Sequence, residues 1–225
     1  MIGVDLQAYA QANWSGYEKS VSAISQSYNA GHPLIDDDTT MYCFDDICSN
    51  LFEEKRKPTS VDGVMFSKKN VEMIEFKSGF KQRITKQNFD EEKAKCPHSK
   101  EVCQDYWDLF FKNQKSNINA LIASIRDKAV ESYITLEKHI FPRCNPSDAH
   151  KRLKLIVVID DNGIDSMEDT LADLAGVSNV SNNPFSSIRQ SLQRVKNCSD
   201  VNGNAYFYDD IEVMSAKDFK NHLHL

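Results

Sequence analysis

Val61-Asp62-Gly63-Val64-Met65-Phe66-Ser67-Lys68-Lys69-Asn70-Val71-Glu72-Met73-Ile74-Glu75-Phe76-Lys77 is the stretch from which the fold is read. Two apolar runs, 61–66 and 71–76, flank the polar turn Ser67-Lys68-Lys69-Asn70. Both runs are rich in β-branched, aromatic and Met residues, which predicts two strands joined in a hairpin. The first strand carries one acid near its start, Asp62, and the second carries Glu75 and Lys77 at its end. Side chains alternate along a strand, so Glu75 and Lys77 share a face and Phe76 takes the other. An ionised group on an otherwise apolar sheet is costly unless it is paired or binds a metal. Accepting that cost on adjacent strands implies that the three groups meet.

Working outward, residues 153–159 (Leu-Lys-Leu-Ile-Val-Val-Ile) read as a core strand buried on both faces. Asp160 and Asp161 then read as turn residues unless they fall beside Glu75, and the chain contains no Gly-x-x-x-x-Gly-Lys-Ser/Thr phosphate loop. Ile118, Ile122, Ile125, Ala129, Tyr133, Leu136 and Ile140 recur one turn apart, which predicts a long helix within 105–140, with Ser116 or Asn117 as a cap. A second helix is predicted over 40–54, with Phe44, Ile47, Cys48, Leu51 and Phe52 on one face and Pro58 beyond its end. Asp38 or Thr39 would cap it, and an earlier helix is expected over 16–28. Residues 205–213 read as a last strand, with Ser215 or Ala216 opening a terminal helix. These elements predict an α/β (or α+β) fold, a central mixed β-sheet flanked by helices. The expected organisation is an N-terminal helical extension, 1–38, and one α/β domain, 39–225, with a polar insertion near 86–104.

Asp62, a gap of twelve residues, then Glu75-Phe76-Lys77 resembles the motif of the PD-(D/E)XK, or restriction-endonuclease-like, nuclease superfamily. The resemblance implies a restriction-endonuclease-like core and a metal-dependent nuclease, acting first of all on DNA. It also implies that Asp62, Glu75 and Lys77 are catalytic. Asp62, Glu75 and the backbone carbonyl of Phe76 would hold Mg²⁺ or Mn²⁺. The helix ahead of the core sheet often supplies one more acid in the family, and Asp45 or Glu54, on the borders of the 40–54 helix, is the candidate. The sequence departs from the family at one point: no strand is read between the first helix and Asp62, where many members have one. The bland alternative is a surface hairpin whose charges face water.

The chain has 225 residues, a formal net charge of −6 and 40% hydrophobic residues, enough for one domain with a real core. Overall acidity argues mildly against nucleic acid, but its distribution matters more. Between Lys55 and Lys86 stand nine Lys or Arg and only three acids, Asp62, Glu72 and Glu75. Lys68, Lys69, Lys81 and Arg83 are therefore candidate phosphate contacts, as are Lys112, Lys115 and Arg126 on the long helix. The six cysteines form no CxxC pair, so free thiols are expected. Cys96, His98 and Cys103, with Cys144 or His150, match no common zinc spacing and read as incidental. No run is long enough to span a membrane and the opening MIGVDLQAYAQ has no signal-like core, so the expectation is a cytoplasmic protein. Its expected partner is nucleic acid, DNA above RNA. The rival is a catalytically inactive module of the same fold that binds nucleic acid, a protein partner or its own copy.

Overall fold

The computed structural model describes residues 2–26, 32–78, 94–95, 103–160, 184–199, 201 and 206–224. In chain order these give β1 (Ile2–Val4), α1 (Leu6–Asn13), β2 (Glu18–Ser20), α2 (Val21–Ile24), β3 (Thr40–Cys43), α3 (Phe44–Leu51), β4 (Gly63–Phe66) and β5 (Asn70–Lys77). There follow α4 (Cys103–Thr135), continued by a π-helical turn at Leu136–Ile140, then β6 (Pro146–Ile159), α5 (Pro184–Asn197), β7 (Asp210–Ser215) and α6 (Ala216–His222). The fold is α/β. The seven strands among the described residues form one mixed sheet in the order β1-β6-β5-β4-β3-β2, with β7 also paired to β6.

The predicted hairpin is present. β4 and β5 run antiparallel, with Gly63 opposite Ile74 and Phe66 opposite Val71. β5 then pairs in parallel with β6, Asn70 to Arg152 through Lys77 to Ile159, and β6 pairs in parallel with β7. Parallel neighbours need a crossover, and α4 and α5 stand in those two connections. β6 is flanked by strands and covered on both faces. Leu153, Leu155, Val157 and Ile159 join one buried cluster, and Ile156 and Val158 the other. That is why residues 153–159 are a near-continuous apolar run.

The first cluster packs the sheet against α1, α3, α4 and α5, through Leu6, Phe44, Ile47, Ile125, Ala129, Ile188 and Leu192 among others. The second, smaller cluster packs the opposite face against α2 and α6, through Val21 and Phe219. Ser215 caps α6: its hydroxyl accepts from the Asp218 amide at 3.1 Å and donates to the Asp218 carboxylate at 2.7 Å.

Several expectations differ from the structure. Residues 40–43 form β3, paired with β2 on one side and β4 on the other, and only 44–51 are helical. The strand missing from the sequence reading is therefore there, ahead of Asp62. Asp38 and Thr39 accordingly lead into a strand and cap no helix. Residues 15–24 hold a 3-10 turn, β2 and the short α2 in place of one continuous helix. Ser116 and Asn117 lie inside α4, which begins at Cys103, so neither caps it. The segment 1–38, read as an extension, supplies β1 and β2 to the sheet and Leu6, Ala10, Trp14 and Val21 to the buried clusters. Most of the 86–104 insertion lies outside the described residues.

Candidate functional site

The β4–β5 ladder continues one step past Gly63, where the Asp62 amide donates to the Ile74 carbonyl at 2.9 Å. The next amide of β5, that of Phe76, has no backbone acceptor opposite it. It donates to the Asp62 carboxylate (Oδ2) at 2.7 Å. The side chain thus closes the ladder and is held over the end of β5. Glu75, one residue back on β5, points to the α4 side and is fully buried, while Phe76 points to the other face and packs edge-on against Phe219.

Three consecutive contacts from α4 seat the segment before β4. The Glu131 carboxylate accepts from the Thr59 amide and hydroxyl. The Ser132 hydroxyl accepts from the Val61 amide at 2.8 Å. Lys128, one turn earlier, places its ammonium 3.1 Å from Asp62 Oδ1 and 2.9 Å from Glu75 Oε2. Lys77 stands at the end of β5 with its ammonium 3.8 Å from Glu75 Oε1, an ion pair beyond hydrogen-bonding reach. Glu75 Oε1 is buried and has no hydrogen-bond donor among the described residues.

Asp62, Glu75 and Lys77 are therefore brought together, as their alternation along the strands predicts, and a fourth group joins them. Burial, then the charge of Asp62, pushes the Glu75 carboxyl well above its ordinary range, against the pull of Lys128 and Lys77. Burial works against the charge on Lys128, but Glu75 and Asp62 outweigh it and raise the ammonium above an ordinary lysine. The site is thus a short row of alternating charge, Asp62–Lys128–Glu75–Lys77, with Glu75 buried and the other three partly exposed, at the carboxyl ends of the parallel strands. Asp160, at the end of β6, lies alongside: its amide donates to the Lys77 carbonyl at 3.3 Å. In open α/β sheets this end of the strands is where ligands are received.

No protein-family model, curated protein or solved structure matches this chain.

Asp45 stands near this row with partners of its own. Its carboxylate accepts from Lys57 at 2.7 Å and from Ser60 at 2.7 Å. Burial opposes its ionisation, yet those two hydrogen bonds and the charges of Lys57 and Lys128 hold its carboxyl below the usual range. Asp45, Lys57, Ser60 and Lys128 line one open cleft of about 620 Å³. Asp62, by contrast, lines a small cleft of about 100 Å³ with Ser25, Gln26 and Ser78. Glu54 begins the 3-10 turn Glu54–Arg56, past the end of α3. Among the described residues no three His, Cys, Asp or Glu side chains are grouped to hold a metal ion, so the converging carboxylates are the pair Asp62 and Glu75.

Lys68 and Lys69 are exposed in the β4–β5 turn, at the far end of β5 from Glu75 and Lys77. A strand rises about 3.3 Å per residue, which separates them from the carboxylates by roughly 20 Å along β5. Lys81 and Arg83 lie outside the described residues. Arg126 is half-exposed and pairs with its neighbour Asp127 at 3.2 Å. The thiols of Cys43, Cys48, Cys144 and Cys198 are free, and burial raises that of Cys48 to about 11, which leaves it inert at neutral pH.

Lys128 is the site residue that the sequence reading missed. A signal for it exists in the sequence. At 100° per residue, Lys128 falls on the border of the stripe made by Ile122, Ile125, Ala129 and Leu136, beside Ser132. A lysine there, on the helix expected to cover a strand bearing a buried acid, is the natural partner for that acid.

Proposed function

We propose that this protein is a metal-dependent nuclease that hydrolyses phosphodiester bonds, with DNA as the first substrate to test. One observation carries the reading. Glu75 is fully buried beside Asp62 and, among the described residues, keeps one carboxylate oxygen without a donor. Buried carboxylates are hard oxygen donors that are stable when they share a cation. Two neighbouring carboxylates, one of them with an oxygen that no described donor meets, are the hard-oxygen pair such an ion takes, so the residues fit Mg²⁺ or Mn²⁺. Asp62 and Glu75 would hold it, with the Phe76 carbonyl as the third ligand. An ion bound there supplies an acidified water and positive charge for the phosphoryl oxygens.

The protein's own groups do the rest. Asp62 is fixed in orientation by the Phe76 amide, so it enters the reaction pre-aligned. Lys77, partly exposed at the strand end, is placed to hold the scissile phosphate and to take up or release the proton of the attacking water. The order β3-β4-β5, α4, then a parallel β6 supports a restriction-endonuclease-like core, since the resemblance implies a strand before Asp62 and a long helix after the Glu-x-Lys strand. The decisive experiment incubates the purified protein with DNA and with RNA in Mg²⁺ or Mn²⁺. Cleavage is expected, and Asp62→Ala or Lys77→Ala should abolish it. Activity that survives both substitutions removes this site.

One observation favours a second reading. Lys128 already bridges both carboxylates, and a permanent bridge makes the row a structural ion-pair network. The protein is then a non-catalytic module that binds nucleic acid or a protein partner. Metal-independent DNA binding that weakens steeply with salt, and no cleavage, would be its signature.

A further inference from the structure

We propose that Lys128 is the resident counter-cation of the Asp62–Glu75 pair, occupying the place of the divalent ion and withdrawing from it when the ion binds. The inference rests on the nuclease reading for the identity of the ion. It is carried by how Lys128 is held. Its ammonium contacts one oxygen of each carboxylate, Asp62 Oδ1 at 3.1 Å and Glu75 Oε2 at 2.9 Å. The other Asp62 oxygen is taken by the Phe76 amide, and the other Glu75 oxygen has no donor among the described residues. A single positive charge thus stands between two negative ones, and one buried oxygen is left over. Lys77 reaches that oxygen only to 3.8 Å. The arrangement stabilises the pair without satisfying it.

The lysine also has somewhere to go. It lines the open cleft of about 620 Å³ together with Asp45, Ser49 and Ser60, so a rotation of its four-carbon stem keeps the ammonium solvated and near a carboxylate. Arg would be a poor substitute, because its planar fork would grip the carboxylates bidentately. The consequence is competition. Every divalent ion that binds must displace an ammonium already in place, so the wild-type site is weaker for metal than its oxygens alone would make it.

The test is a Mn²⁺ titration followed by the electron paramagnetic resonance of free Mn²⁺, on the full chain. The wild type, Lys128→Met and Lys128→Met/Glu75→Gln are compared. Lys128→Met should bind one ion about tenfold more tightly than the wild type, or better, and the double variant should lose that gain. Equal or weaker binding by Lys128→Met overturns the proposal, even if the wild type cleaves DNA and the nuclease reading stands. Tighter binding by Lys128→Met in a protein that cleaves nothing supports the proposal while the nuclease reading falls. Should Lys128→Met not fold, Mg²⁺ is titrated into wild-type protein carrying ¹³C-labelled lysine, with Lys128→Arg used to assign the signal. A saturable shift of the Lys128 Cε resonance supports displacement. An unmoved resonance overturns it.

Discussion

Ser132 on α4 accepts the amide of Val61 at 2.8 Å, one residue before Asp62, and both residues are buried. Among the described residues the serine is the partner of that amide, so Ser132→Ala leaves a buried N–H unsatisfied. The expected loss is about 1–3 kcal/mol, read as a lower urea midpoint with an unchanged slope. A loss of cleavage larger than the loss of folded protein would show that the bond also fixes Asp62.

Lys128→Met removes the cation from the buried carboxylate of Glu75 and the partly exposed one of Asp62. Breaking a buried pair from one side typically costs about 3–5 kcal/mol, because the uncompensated charge stays behind. Chemical denaturation of the variant should show a loss of that order. Adding Glu75→Gln should restore part of it, so the two changes are expected to be strongly non-additive.

Asp37 gives the acid limb of stability. Hydrogen bonds from the Thr39 hydroxyl and amide, with a further one from His224, outweigh burial and hold its carboxyl down to about 2, from an ordinary 3.8. The folded value lies below the unfolded one, so this contribution is present above about pH 4 and is lost as the pH falls towards 2. Asp37→Asn should be less stable than the wild type at pH 7 by roughly 1 kcal/mol, allowing for the solvent around His224. The gap should close between pH 4 and 2. A constant gap across that range would assign the effect to another group.

Tyr208 ties the segment before β7 to the C-terminal part of α4. Its buried hydroxyl donates to the Ala129 carbonyl at 2.7 Å. Burial raises its ionisation far above that of free tyrosine, so it stays a donor at any ordinary pH. Tyr208→Phe should cost about 1 kcal/mol, since the carbonyl keeps its place in the helix, and calorimetry should find a lower Tm without a change of fold.

The sequence and the structure agree where a pattern is long or its chemistry is unusual. Residues 153–159 are nearly all apolar because β6 is covered on both faces, and of the two residues read as opening the terminal helix, Ser215 or Ala216, Ser215 is the cap. The Asp62, Glu75 and Lys77 convergence was legible because strand alternation leaves little choice of direction. β3 was hidden for the opposite reason. Thr40, Met41, Tyr42 and Cys43 are too few to display alternation, and they run into Phe44, Ile47, Cys48 and Leu51 with no breaker between, so one helix fits the whole run. Pairing with β2 and β4 decides the matter, and that information lies elsewhere in the chain. Lys128 was missed because its partners lie more than fifty positions away, and helical spacing alone marks it as no more than a border residue.

The parallel pairing of β5 with β6 joins residues about 80 positions apart. Such a contact cannot form during synthesis until the whole of β6 has left the ribosome. Until then the hairpin offers the free rim of Val71–Phe76, rich in β-branched and aromatic side chains, to any other chain nearby. Newly made protein should therefore be most prone to aggregate in truncations that stop short of Ile159, and much less so once the strand that shields that rim is included.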